Sequence, residues 1–78
     1  MAYSVEVAPA AERQLKKLPA ILQARIVRRL RHLGENPRPP GAKKLAEAES
    51  LWRVRVGDHR VVYELRDKER IIVVLKIA

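Results

Sequence analysis

The stretch Leu51-Trp52-Arg53-Val54-Arg55-Val56-Gly57-Asp58-His59-Arg60-Val61-Val62-Tyr63-Glu64-Leu65 sets the architecture of this chain. Apolar and polar residues alternate on both sides of Gly57-Asp58, the period of two that marks a half-buried strand. Two such runs joined by a two-residue Gly-Asp turn read as a β-hairpin, Leu51 to Val56 returning as His59 to Leu65. With Gly57-Asp58 as the whole turn, Val56 opposes His59, Arg55 opposes Arg60, Val54 opposes Val61, and Trp52 opposes Tyr63. One face then carries Trp52, Val54, Val56, Val61, Tyr63 and Leu65. The other gathers Leu51, Arg53, Arg55 and Arg60, with Lys76 added from the next strand. A slip of one residue would exchange the two faces, so everything rests on this register.

Beyond the hairpin, Asp67-Lys68-Glu69-Arg70 is a polar turn and Ile71 to Ile77 a third strand of the meander. Its Ile71, Val73, Leu75 and Ile77 are expected to continue the buried face. At the other end, Tyr3, Val5 and Val7 alternate with Ser4 and Glu6 as a short strand. Pro9 suits the first turn of a helix, where its missing N–H costs nothing. Ala11, Leu15 and Leu18 mark about two helical turns, ended by Pro19. Leu22, Ile26, Leu30 and Leu33, flanked by Ile21 and Val27, form the stripe of a second helix, which Gly34 and Asn36-Pro37 stop. A stiff loop follows at Pro37-Arg38-Pro39-Pro40-Gly41, and Lys43-Lys44-Leu45 leads out of it. Residues 46–50 carry no clear pattern. The order β-α-α-β-β-β predicts an α+β fold. A helical hairpin covers one face of a small antiparallel sheet, in a single domain spanning 1–78.

Composition narrows the function. The chain has 78 residues, and size scaling allows it to bury only about 63% of its unfolded surface. Seventeen Lys and Arg against nine Asp and Glu give a net charge of +8. Such a field favours polyanionic partners: RNA, DNA, ribosomes or an acidic protein. There is no cysteine, which excludes disulfide scaffolds, thiolate zinc sites and cysteine nucleophiles. No run approaches the ~18 apolar residues of a membrane span, and the first residues do not read as a signal peptide. A cytoplasmic location is expected, with no membrane partner.

The candidate site is the basic face of the hairpin. Two arginines directly across a hairpin repel by a few tenths of a kcal/mol, a cost that an anion would relieve. The planar guanidinium fork suits phosphate oxygens. A competing account makes Arg53 and Arg55 ordinary solvent-facing residues balanced by Glu64. Lys43 and Lys44 lie where they could reach phosphate. Arg25, Arg28, Arg29, Arg31 and Arg38 make the second helix and its exit basic, with Arg28 and Arg29 the candidates for a nucleic-acid backbone. His32 and His59 have no carboxylate at ligand-like spacing and are read as non-catalytic. Scattered acids and absent thiols predict no metal and no cofactor. One Trp, two Tyr and no Phe are too few for a reader that stacks bases, and Trp52 and Tyr63 are assigned to packing.

The stretch Leu51 to Glu64 resembles the central hairpin of the RelE/ParE toxin superfamily, whose form is close to (Y/W)-(R/K)-x-(R/K)-x-G-x-(Y/H)-R-(V/I)-x-Y. Tyr3-Ser4-Val5, the run Ala10-Ala11-Glu12-Arg13-Gln14-Leu15-Lys16-Lys17-Leu18, the proline-containing helix exit and Lys44-Leu45 are similar to that family too. The likeness covers essentially all 78 residues. It implies two helices on an antiparallel sheet, in agreement with the order derived above.

It also implies an activity. RelE-like members cleave mRNA in the ribosomal A site without metal, through attack of a ribose 2′-OH on the adjacent phosphate. On that likeness Arg53, Arg55 and Arg60 are the catalytic candidates. Arg60 and Arg53 hold phosphate and stabilise charge, while Arg55 stands in the place of the proposed base. Arginine keeps its proton, so Arg55 departs from the lysine of some members. RelE-like chains also continue into a basic tail with another arginine and a late tyrosine. This sequence stops at Ala78, so the expectation is a binding face lacking part of the catalytic set. The partners implied are an antitoxin, in a hetero-oligomer, and the ribosome with its mRNA. Two alternatives share the residues: a ParE-like gyrase inhibitor, and a non-catalytic RNA- or ribosome-binding module.

Overall fold

The computed structural model describes residues 2–45 and 50–78, so most of the unpatterned segment 46–50 lies outside the described residues. In chain order the elements are β1 (Ser4–Val7), α1 (Pro9–Lys16), α2 (Ala20–Glu35), β2 (Lys43–Lys44), β3 (Leu51–Val56), β4 (His59–Arg66) and β5 (Ile71–Ile77). The hairpin register is the expected one: Val56 faces His59, Arg55 Arg60, Val54 Val61 and Trp52 Tyr63. Gly57 has φ of 59° and Asp58 is not left-handed. That is the II′ pattern, whose twist matches the strands it joins and whose first position needs glycine.

Among the described residues five strands form one sheet, in the order β1-β5-β4-β3-β2. The meander β3-β4-β5 is antiparallel as expected, but the whole sheet is mixed. β1 joins the far edge parallel to β5, with Ser4 opposite Ile71 and Val7 opposite Val74. A parallel partner cannot follow through a tight turn; here the chain leaves β1 through the two helices, which cover one face, and reaches β5 only after β2, β3 and β4. β2 is a second addition. Its two lysines have no apolar alternation to announce a strand, yet Lys43 pairs with Arg53 and Lys44 with Trp52. Lysines on a short edge strand also discourage edge-to-edge association.

The core is drawn from Ala11 of α1, Ile26, Leu30 and Leu33 of α2, and Val54, Val61, Tyr63, Leu65, Ile72, Val74 and Ile77 of the sheet. Of the expected α2 stripe, Leu22 at its first turn is only half-buried; of the flanking residues, Val27 is half-buried and Ile21 points to solvent. The expectation for β5 needs correcting: Ile72 and Val74 are buried, whereas Ile71 and Val73 are only half-buried and Leu75 is exposed. A register shift against Val62/Tyr63 then returns Ile77 to the inside. The first part of the strand is set by β1 and β4 on either side, which overrides the phase read from an unbroken apolar run. The Ile77 N–H is held by the Gln14 side-chain oxygen at 2.7 Å, tying α1 to the end of β5.

Gly34 does not stop α2, which runs on to Glu35. Its role is close approach. A Cβ there would stand 3.1 Å from the Tyr3 carbonyl oxygen, and Tyr3 N–H donates to the Gly34 carbonyl at 2.7 Å. At the other end of α2, Gln23 Nε2 donates to the Leu18 carbonyl at 2.7 Å, satisfying a terminal acceptor of the joint between the helices. No helix among the described residues is long and apolar enough to cross a membrane.

A polar clasp fixes the loop after α2. Asp67, in the β4–β5 turn, accepts from Arg38 at 2.7 Å and from the Tyr3 hydroxyl at 2.6 Å. The Arg38 guanidinium stands 5.3 Å from the centre of the Trp52 ring, a cation–π contact. Below it the Tyr63 hydroxyl donates to the Pro37 carbonyl at 2.8 Å, and the Tyr63 side chain is wholly buried. Tyr63→Phe should therefore lower stability by about 1 kcal/mol in denaturant titration, through loss of that bond.

The hydrogen bond from Arg38, and then that from Tyr3, holds the Asp67 carboxyl below its ordinary range. A depressed carboxyl stabilises the fold above its unfolded pKa, and the contribution is lost as pH falls through the folded one. The melting-temperature gap between wild type and Asp67→Asn should thus be largest near neutral pH and narrow as the pH falls below the ordinary aspartate range. Because the pair is exposed, the gap should be modest and shrink in salt.

Candidate nucleic-acid interface

Alternation along β3 and β4 puts Arg53, Arg55, Arg60, Val62 and Glu64 on the face turned away from the helices. Arg60 spends its own N–H and carbonyl on Ala78, at 2.7 and 2.9 Å. Its backbone polar groups therefore point away from β3, and Arg55 and Arg60 meet at a non-hydrogen-bonded position, where facing side chains come closest. Two rows follow from the pairings. One runs Lys43, Arg53, Val62, Lys76 across four strands, and the next runs Arg55, Arg60, Ala78.

These rows shape a pocket of about 220 Å³ lined by Gly41, Lys43, Arg53, Val54, Arg55 and Arg60. Four cations surround it. The account in which Glu64 balances Arg53 and Arg55 fails on geometry. Glu64 accepts from Arg66 Nε at 2.7 Å, and its cross-strand neighbours are Leu51 and Val73. Among the described residues the other ion pairs join Lys16 to Glu12, Arg38 to Asp67 and Arg66 to Glu69. None reaches the pocket. The outer face is thus divided, with Glu6 and Glu64 toward one end and the basic pocket at the other.

A second concavity, about 340 Å³, lies between α2 and the end of the hairpin. Arg25, Arg28, Arg29 and His32 line it from the helix, and Arg55, Val56 and Gly57 from the hairpin. Arg29 Nε is buried without a hydrogen-bond partner among the described residues, an open valence for an acceptor. Arg55 borders both pockets, so basic surface continues from the outer sheet around the turn onto α2.

The structure thus brings Lys43, Arg53, Arg55 and Arg60 together, and Arg28 with Arg29 beside them. Lys76 shares their face but stands beyond Val62, outside the pocket. Lys44 is separated from Lys43, since its partner is Trp52 and its side chain belongs to the opposite face. Arg25, one of the basic residues noted on this helix, lines the same concavity, and so does His32, to which the sequence pattern assigns no role. Their spacing of seven, with Arg28 and Arg29 between, places them on one helical face, a signal that the residues themselves hold. Trp52 and Tyr63 pack as expected. Among the described residues no three His, Cys, Asp or Glu side chains gather as ligands for a cation.

Comparison with known proteins agrees with this architecture. The sequence model of the ParE toxin of type II toxin–antitoxin systems matches residues 5–78. Among solved structures, a RelBE toxin–antitoxin complex from Mycobacterium tuberculosis aligns with TM-score 0.87 at 28% identity, over 99% of this chain and 96% of that one. The archaeal RelE–RelB complex from Pyrococcus horikoshii aligns with TM-score 0.88 at 29% identity, over 99% and 93%. The intact E. coli RelBE complex aligns with TM-score 0.86 over 99% and 95%, its 20% identity speaking for the fold alone. No curated protein sequence matches. With the family match running through both helices and the basic hairpin, this chain belongs to the ParE family of the RelE/ParE superfamily, the toxins of type II toxin–antitoxin systems.

Proposed function

We propose that this toxin is a ribosome-dependent endoribonuclease that cuts mRNA by attack of a 2′-OH on the adjacent phosphate. One observation carries the reading: the like-charged Arg55–Arg60 pair, closed in by Arg53 and Lys43, is left without a carboxylate among the described residues. A stability-driven sequence has no reason to keep that repulsion, and a phosphodiester removes it. In the reaction the 2′-oxygen bonds to phosphorus and the 5′-oxygen leaves, giving a 2′,3′-cyclic phosphate and a 5′-hydroxyl. Negative charge builds on the non-bridging oxygens, where fixed guanidinium groups are worth most. Arg60 and Arg53 take that role, and Arg55 adds charge from the other side of the pair. Arginine gives up no proton at working pH, so Arg55 serves as an electrostatic group and not as the base.

The α2 pocket with Arg28 and Arg29 binds further backbone phosphates in this reading, and Lys76 and Lys44 add diffuse attraction from the margins. A cognate antitoxin covers the basic face in a hetero-oligomer. The M. tuberculosis and P. horikoshii relatives are themselves toxin–antitoxin complexes. The toxin then acts in the cytoplasm, where its polyanionic target is. A second reading, a ParE-like gyrase inhibitor, is favoured by the ParE family match. A non-catalytic ribosome-binding module is the third.

Primer extension on programmed ribosomes separates them: a cut within the A-site codon is expected from the wild-type chain. Gyrase-dependent DNA breaks without such a cut would transfer the assignment to the second reading. Arg60→Ala should lower cleavage at least ~10²-fold. Its melting temperature should stay unchanged or rise slightly, since an exposed repulsion is relieved. A large fall would make Arg60 structural. Arg28→Ala with Arg29→Ala should flatten the salt dependence of binding to a short single-stranded RNA, by about 0.7 in log–log slope for each phosphate no longer neutralised.

A further inference from the structure

The pocket's four cations are not chemically equivalent. Three are guanidinium groups, which hold charge but cannot exchange a proton in any useful pH range. The fourth is the Lys43 ammonium, a proton donor whose conjugate base water readily restores. Its position is fixed by backbone and not by side-chain chance. Ala42 N–H donates to the Pro39 carbonyl at 3.0 Å and Gly41 turns with φ of 91°. Lys43 then pairs opposite Arg53, and Leu45 N–H donates to the Leu51 carbonyl at 2.9 Å. Strand spacings put its Cα about 12 Å diagonally from that of Arg60. Two long side chains extended toward each other from those points meet on a single phosphate, from opposite sides.

Resting on the ribonuclease reading above, we propose that Lys43 is the general acid of the cleavage, protonating the departing 5′-oxygen. The electron balance is complete without another reagent. The 2′-oxygen forms its bond to phosphorus and loses its proton to solvent water. The P–O5′ bond breaks, and its electron pair takes the proton from Lys43 Nζ. The neutral amine is reprotonated from solvent after the 5′-hydroxyl product leaves. A lysine that merely guards a sheet edge, or merely attracts phosphate, does none of this.

The test compares wild type, Lys43→Arg and Lys43→Ala on programmed ribosomes. Each is given mRNA with either the natural 5′-oxygen or a bridging 5′-sulfur at the cleaved linkage. A thiolate departs without a proton, so it has no need of the acid. Ribosome binding and melting temperature, measured in parallel, should be unchanged for Lys43→Arg, which keeps the charge on an exposed side chain. The expected result is a loss of about 10²–10⁴-fold with the oxygen substrate for both variants, and near wild-type cleavage of the sulfur substrate by Lys43→Arg. Wild-type cleavage of the oxygen substrate by Lys43→Arg would show that only charge matters and overturn the proposal. So would an equal loss on both substrates, or wild-type protein that cleaves only the sulfur linkage. Failure of the wild type to cut either substrate would remove the ribonuclease reading itself, and Lys43's role with it.

Discussion

The Val54–Val61 pair, in register across the β3–β4 hairpin, governs how this molecule is put together. Both side chains are buried beneath the helices, and strand geometry then leaves no choice about their neighbours. Burying Val54 and Val61 turns Arg55 and Arg60 outward, directly opposite each other, at the position where facing side chains are closest. The hydrophobic effect that holds the sheet to the helices is therefore also what concentrates positive charge on the other side. Stability and binding are coupled through the pleat.

A second layer of order comes from polar contacts between distant parts of the chain. Asp67 joins the start of β1 through Tyr3 to the α2 exit through Arg38. Arg38 in turn lies against Trp52, and Tyr63 holds Pro37. These contacts fix one end of the proline-rich loop, whose other end becomes β2. Through that loop the clasp bears on Lys43, although it touches no residue of the pocket. The exposed ion pair itself contributes little energy. Its value lies in choosing one path for a loop that carries a cation to the site.

The division of charge over the outer face has a consequence for partners. Glu64 is taken by Arg66 at the acidic end, so it does not quench the basic pocket. The positive surface then runs from Lys43 around the hairpin turn to His32, with Arg55 common to both concavities. A polyanion can follow such a track, and so can an acidic protein segment. Charge attracts both to the same face of the sheet.

Much of this is legible in the residues. The hairpin, its turn, its register and the outward placement of Arg53, Arg55 and Arg60 follow from the period of two and the Gly57-Asp58 pair. The helices follow from their apolar stripes. All of these depend on contacts between near neighbours in the chain. Other features require distant segments to meet. Nothing within Ser4–Val7 says that it will lie parallel to β5, and nothing in Lys43-Lys44 says that it will pair with Trp52 and Arg53. The switch of phase in β5 is likewise imposed by the strands beside it. Alternation alone settles which cations share the hairpin's outer face, because alternation is local. That a lysine from one edge and a helix from behind enclose them is a tertiary outcome, because pairing across some tens of residues is settled by the packing of the whole.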